Sequence, residues 1–398
     1  MTTFRARAAV LRGALAIPMV IAIGATVPVR AESRPRTPVY EVVELGSLGG
    51  APSGGSSIND RGWVAGFSNP GEEGITHATL WRHGRALDLL TLGGPNSAVL
   101  WPVENERGIL VGIAETADID PRREIWSCGW LFPTDTDHVC RGFVWERGTM
   151  RPLPTHGGTH GFAAGANNRG QVVGWAETAD EDPTCNSPQV LGFHAALWDI
   201  RRDRITALPP LPGDDTASAA TAINDRGQVV GISGTCANAV GGFSARHAVM
   251  WEDGDVIEIG DLGGDAWNTP MAINHRGVVV GFANQAGTEA DRFNEEAFIW
   301  TERHGIRPLG MLPGDVRSQA LGLNDRGDVV GLSRGTAGTR AVIWRDDVMT
   351  DLNTAAPGYD GHLDYANDIN DAGVITGQAR NAETGELVAF VATPTRRR

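Results

Sequence analysis

The sequence predicts an all-β protein: a seven-bladed β-propeller of four-stranded blades, closed by an N-terminal strand (39–45) that completes the last blade. Three observations carry that expectation. A phrase of the form "INDRGQVVG" occurs seven times, and its last glycine falls at Gly66, Gly112, Gly174, Gly231, Gly281, Gly331 and Gly377. The spacings of 46, 62, 57, 50, 50 and 46 residues are those of a solenoid, a propeller or a repeat array. Each unit also holds four short runs rich in Val, Ile and aromatic residues, parted by turn signals, which read as four strands lettered here a to d. Finally, the ends match. The chain stops after its seventh c strand, "VAFVATP", and its first strand after the leader carries the missing d pattern.

Taken in order, residues 1–31 read as an export signal. Arg5, Arg7 and Arg12 form a positive n-region, "GALAIPMVIAIGATVPV" is the apolar stretch, and "VRA" places cleavage after Ala31. The apolar run is short and interrupted by Pro18 and Pro28, which disfavours a membrane anchor. Residues 32–38 form a linker, and "YEVVELGSLGG" (40–50) is a d strand with its LGG loop. Within a unit, "SAATAIN" alternates as strand a. N-D-R-G then turns a hairpin, Asn capping it with its side chain and Gly accepting a positive φ at no steric cost. "QVVG" follows as strand b, apolar on both faces. After a variable segment comes strand c, at 77–81, 142–145, 194–198, 247–251, 297–300 and 340–344, each ending in tryptophan. The seventh copy, 388–392, ends in alanine. One large ring per unit fills the wedge between neighbouring sheets. An "EDGD" turn leads to strand d, "VIEIGDLGG". The propeller spans 39–394, and 395–398 is a basic tail. Closure of the ring by the first strand removes the exposed edges that an open stack must cap with polar repeats.

The combination "LGDLGG…AINxxGxVVG…HAxxW" resembles the HAF repeat family of bacterial proteins, assigned to the extracellular space and named for a His-Ala-Phe triplet. The likeness covers nearly all of residues 39–394, with three motifs recurring in order. It implies secretion and a repeated β-architecture, and it brings no catalytic residues with it. The triplet itself is absent: the His-Ala copies read "HAT", "HAA" and "HAV".

Composition narrows the chemistry. All 34 basic residues are arginines, which excludes a Schiff-base lysine, a phosphate-loop lysine and a lysine general base. Without the leader the chain carries 30 Arg against 48 Asp and Glu, a net charge of −18 that repels nucleic acid. No later segment is apolar enough to span a bilayer, so the cleaved chain is expected to be no membrane protein, and a monomer. A residue present in every blade is read as packing. His77, His194 and His247 are accordingly assigned to hydrogen bonds with backbone or a neighbouring blade. "GLSRG" (331–335) matches the G-x-S-x-G pattern. Yet Ser333 shares its strand position with Ser68 and Ser233, and no strand-to-helix elbow follows.

With strand a innermost, the b–c and d–a loops share one face. From the b-strand glycine to the c-strand tryptophan the lengths are 15, 33, 24, 20, 19 and 13 residues, and insertions gathered on one face mark a binding face. All four cysteines lie in these insertions. Of three pairings, spacing favours a local Cys128–Cys140 bond and a Cys185–Cys236 bond between adjacent blades. The paired "AETAD-x-DP" segments offer Asp118, Asp120, Asp180 and Asp182 as hard oxygen ligands. They lack the Gly and distal Glu of a calcium loop and read as solvated turns. Residues that break the repeat are the site candidates: Trp101, His160, Trp267, Tyr359, His362 and Tyr365, with His156, Phe162, Asp360 and Asp364 beside them. Aromatics with carboxylates around a funnel suit sugar or peptide capture, or they plug the channel. The expected function is that of an exported, non-catalytic binding or scaffold module for an extracellular glycan, peptide or protein. No catalytic residue, cofactor or metal is assigned. The alternative is a carbohydrate-active hydrolase or lyase with paired carboxylates in the central funnel.

Overall fold

The computed structural model describes residues 38–103, 105–124, 127–237, 241–288 and 292–395. The expected leader (1–31), most of the linker and the last three arginines lie outside them.

The hairpin that opens each unit folds as its residues require. In blade 4 the Asn224 carboxamide oxygen accepts the amides of Arg226 and Gln228 at 3.0 and 3.1 Å, and Gly227 takes φ 92°. The same glycine is left-handed in all seven turns, from Gly62 (73°) to Gly373 (79°). The glycine that ends "VVG" has a different cause. Strand a carries a bulge opposite it, in blade 4 between Ala220 and Ala222. The bulge drives the Ala219 carbonyl over Gly231, where a Cβ would stand 2.1 Å from that oxygen.

Seven four-stranded antiparallel sheets result, each in the order a-b-c-d. Blade 4 is typical, with strands Ala217–Ile223, Val229–Gly234, His247–Glu252 and Asp255–Glu258. The seventh blade takes three strands from the end of the chain, His362–Ile369, Ile375–Arg380 and Leu387–Thr395, and the fourth, Val39–Glu44, from its beginning. That fourth strand is antiparallel to the third, from Val39 opposite Thr395 to Glu44 opposite Phe390. The ring is therefore closed as expected, and the pairing reaches one residue into the segment read as a tail. Two single helical turns, Ser127–Leu131 and Leu352–Ala355, depart from the all-strand expectation. Both sit in connections between strands.

Three recurring contacts join blade to blade. The c-strand indoles reach back to a carbonyl just after the preceding d strand: Trp81 to Gly46 (2.6 Å), Trp198 to Pro154 (2.8 Å), Trp251 to Pro209 (2.8 Å) and Trp344 to Leu309 (3.0 Å). A serine early in strand a accepts the amide of a c-strand alanine in the preceding blade, as Ser218 does from Ala195 at 3.0 Å. The turn asparagines form the third set. Asn167, Asn224, Asn274, Asn324 and Asn370 each donate a carboxamide N–H to the backbone oxygen of the next blade's turn asparagine, at 3.0–3.2 Å.

The residue after each turn asparagine adds an outer ring. Amides of Asp60, Glu106, Asn168, His275, Asp325 and Asp371 each donate to the side chain of the equivalent residue in the next blade. Where blade 5 has a histidine instead of an acid, its ring closes the gap. His275 Nε2 lies 3.0 Å from Asp225 and Nδ1 2.9 Å from Asp325, so both nitrogens face carboxylates. That arrangement suits an imidazolium. Burial pulls the His275 pKa down, but the hydrogen bond to Asp225 and the charges of Asp325 and Asp225 outweigh it and raise the value.

The repeated polar residues behave as packing residues, with one refinement. His194 bonds the Thr216 carbonyl of the next blade (3.2 Å). His77 and His247 instead face Asp88 and Glu258 on their own d strands, each at 2.9 Å. Ser333 is fully buried; it accepts the Leu312 amide (3.0 Å) and donates to Asp315 (2.6 Å), which fixes the loop before strand a.

A group whose folded pKa is raised stabilises the fold below its unfolded pKa, and that stability is lost as pH rises through the folded value. The midpoint of chemical unfolding of the native chain should therefore exceed that of His275→Gln at about pH 5.5. The gap should narrow towards about pH 8.5, as an imidazolium titrating from near 6.5 upward requires.

Candidate functional site

The two faces of the ring differ in construction. On one, short a–b turns are locked into the hydrogen-bonded rings just described. On the other, the long b–c segments of blades 2 and 3 begin as extensions of the blade. Strand b of blade 2 runs Leu110–Ile119 and meets His138 at its far end; strand b of blade 3 runs Gln171–Glu181 and meets Leu191.

Both expected disulfides are present. Cys128–Cys140 closes the blade-2 insertion on itself, and Cys185–Cys236 joins blade 3 to blade 4. Around the second bond, Asn186 N–H donates to Ala237 O (2.8 Å), Ala237 N–H to Thr184 O (2.9 Å) and Cys236 N–H to Thr184 Oγ1 (3.0 Å). There is no free cysteine among the described residues, and no helix among them is long and apolar enough to cross a membrane. Two disulfides are what an oxidising, extracytoplasmic compartment sustains.

Beneath these insertions lies a buried polar joint. Glu177 accepts the amides of Thr159 (2.9 Å) and His160 (2.8 Å) and a Gln189 side-chain N–H (3.1 Å). Glu115 does the same in blade 2, accepting the amide and carboxamide of Asn96, each at 2.9 Å. Burial pushes both pKa values up. Close approach to strand b explains the second glycine of the adjoining loops. A Cβ on Gly158 would lie 2.4 Å from the Glu177 Cβ.

His160 belongs to this joint rather than to an open ligand face; it is 1% exposed. Its Nδ1 accepts the Cys140 amide (3.1 Å) and its Nε2 lies 3.4 Å from Asp120. Asp120 is buried too, which corrects its reading as a solvated residue: it accepts the amides of Glu124 (2.7 Å) and Arg122 (3.2 Å). Glu124 in turn accepts the amides of Val190 and Leu191 across the blade boundary, at 2.7 and 2.8 Å. Asp120, Glu124 and His160 bring possible ligand atoms within 4.8 Å of one another. With Nδ1 already accepting an N–H, however, the neutral ring carries its proton on Nε2 and offers a cation no lone pair there. Asp118 and Asp180 are exposed, and Asp182 caps Thr184 at 2.8 Å.

The remaining candidates fall in separate places. Trp101 follows the a strand of blade 2 on the way to the turn and packs edge-on against Phe162 (5.2 Å) and Trp175 (6.0 Å), so it fills space between blades. Tyr359 donates to Glu44 (2.7 Å), which also accepts from Asn381 (2.8 Å), and so secures the closing strand. Burial and Glu44 hold the Tyr359 pKa well above the usual phenol range. His362 faces the Thr339 carbonyl (2.8 Å) and the buried Asp364 (3.6 Å), which pairs with Arg380 (2.8 Å). Tyr365 is half-buried in the inner strand of blade 7. Trp267 is half-buried in the loop that leads from blade 4 to blade 5. It packs against Phe293 of the blade-5 insertion, ring centroids 4.0 Å apart and planes tilted by 32°.

A groove of about 660 Å³ runs between the blade-4 insertion and the loop, two residues before Trp267, that leads to blade 5. Thr235, Phe243, Arg246, His247, Asp261 and Asp265 line it. Phe243 is 51% exposed and Phe293 40%. Phe243 and Arg246 escaped notice in the sequence, although both stand in "GGFSARHAVMW", between Cys236 and the c strand.

No family model matches the chain, and no curated protein matches it. Among solved structures it is similar to the extracellular domain of a hybrid two-component system from B. thetaiotaomicron (TM-score 0.46, 11% identity), covering 88% of this chain and 39% of that one. It is similar to an oligogalacturonate lyase in complex with manganese (TM-score 0.48, 11% identity, 90% and 97% covered). A third likeness is to dipeptidyl peptidase 4 of Porphyromonas gingivalis (TM-score 0.36, 9% identity, 90% and 53% covered). Identities of this size carry no residue across.

Replacing Cys185 and Cys236 together by serine releases the clamp between blades 3 and 4. The expected loss of unfolding free energy is about 2–4 kcal/mol, with quicker proteolysis around residues 235–246. Denaturant titration and limited proteolysis measure both.

Proposed function

We propose that the protein is an exported binding module that holds its ligand on the b–c/d–a face and performs no chemistry on it. One observation carries the reading: the exposed aromatic rings of the blade-4 and blade-5 b–c segments, Phe243 and Phe293, stand on loops anchored to a closed ring, and one of those loops is held by a disulfide. On its turn, LGG and His-Ala motifs we also propose that the chain is a member of the HAF repeat family.

The hydrolase or lyase alternative asks for two carboxylates from different inner strands meeting in the channel. The carboxylates of the inner strands are occupied otherwise. Asp315 pairs with Arg340 (2.8 Å), Asp364 with Arg380, and Asp368, fully buried, accepts the Ile58 amide (2.7 Å). The acids at the a–b mouth accept backbone amides from neighbouring blades.

The test is a glycan and peptide array probed with the cleaved protein, followed by mass spectrometry of any bound compound and hydrogen exchange of the complex. The expected result is saturable binding, unaltered ligand and protection confined to the b–c and d–a loops. A chemically changed ligand, or protection at the a–b turns, overturns the proposal.

A further inference from the structure

The geometry points to a specific ligand class for the groove between blades 4 and 5: a short neutral glycan, with one pyranose ring laid against Phe243 and the sugar chain running on to the Trp267–Phe293 pair carried by the adjoining loop. This rests on the binding-module reading above and names what that module takes.

A pyranose has an apolar C–H face and a rim of hydroxyls. An aromatic ring kept exposed while its neighbours are pinned matches the first, since its own burial is forgone unless a ligand covers it. Phe243 is kept so. Its carbonyl accepts the Thr235 amide (3.1 Å), and the neighbouring Ser244 hydroxyl donates to the carbonyl of the disulfide residue Cys236 (2.8 Å). Trp267 is fixed at φ 63°, between Ala266 and Asn268, both buried. Asn268 fastens this loop to the blade-4 insertion by donating to the Arg246 carbonyl (2.7 Å). The loop that carries Trp267 is therefore tied to the insertion that carries Phe243.

The groove supplies the polar half as well. Asp261 and Asp265 are exposed carboxylates that accept from hydroxyls. Arg246 is a forked donor with no ion-pair partner among the described residues. The volume of about 660 Å³ lies within the ordinary range of small-ligand sites. Charge selects against acidic sugars. Asp261 and Asp265 offset Arg246, His247 is held between Glu258 (2.9 Å) and Asp215 (3.9 Å), and the whole chain is strongly acidic at −14. A peptide is disfavoured on other grounds. None of the lining residues belongs to the outer edge strand Asp255–Glu258, the one strand of the blade with a free edge for backbone pairing.

Calorimetric titration of the cleaved protein tests this with cellotetraose, maltotetraose, mannotetraose and N-acetylchitotetraose as neutral probes, and with trigalacturonate and a mixed tetrapeptide library as comparators. At least one neutral glycan should bind. Trp267→Ala and Phe243→Ala should each weaken it by about tenfold, the scale of one lost ring contact. Val348→Ala, at an exposed c–d turn on the opposite face, should leave affinity unchanged, and unfolding midpoints should show every variant folded. Failure of all four neutral glycans overturns the ligand class. If trigalacturonate or peptide then binds and Trp267→Ala abolishes that binding, the binding-module reading survives while the neutral-glycan inference falls. A neutral glycan bound with equal affinity by both alanine variants overturns the groove as its site.

Discussion

A ring of seven sheets has no free end only if the first strand of the chain finds the last sheet, and most of the structure follows from that one ladder. Val39–Glu44 lies along Leu387–Thr395 across more than three hundred residues of chain. With it in place, contacts that elsewhere join successive blades also join blade 7 to blade 1. Asn370 donates to Asn59 O (3.0 Å), the Asp371 amide to Asp60 (2.9 Å), and the Ala389 amide to Ser53 (3.0 Å). Each such bond nets only about 1 kcal/mol. Their strength is that all form together, because a ring permits no blade to relax without its neighbours.

The same constraint divides labour between the faces. Turns locked to one another on the a–b side leave no slack there. Blade 2 is the exception in the inner asparagine set, because the Asn105 carboxamide turns to Ile109 O (2.7 Å) instead of reaching blade 3. The b–c segments take no part in the turn-to-turn rings, so their length was free to vary. Where it grew, it was braced again, by disulfides and by buried carboxylates that collect loop amides. Preorganised loops on a rigid frame are the economical way to present rings and polar groups to a ligand.

Much of this was legible in the residues. Period, turn chemistry and the d-like first strand implied the blade number and the closure, because local backbone requirements recur wherever Asn-x-x-Gly does. The cysteine pairing followed from spacing. The site was harder. Several single aromatics and histidines break the repeat, but Trp101 and Tyr359 are spacers and anchors, and His160 is part of a buried joint. Burial is decided by what a neighbouring blade brings, and no local pattern encodes that. Phe243 and Arg246 were passed over for the converse reason: nothing in an irregular loop announces which side chain will stand exposed. Asp120 shows the limit most clearly. An aspartate in an acidic loop looks solvated until an insertion folds over it.

The closed ring is tested most directly by trapping its seam. Glu41 and Thr393 face each other in register, and both are exposed. Antiparallel partners stand about 4.5–5.5 Å apart at Cα, within reach of a disulfide. Glu41→Cys with Thr393→Cys should form an intramolecular bond in the exported protein, found by non-reducing peptide mapping of a monomer. Two free thiols at these positions, or a bond linking two chains, would contradict the closed ring.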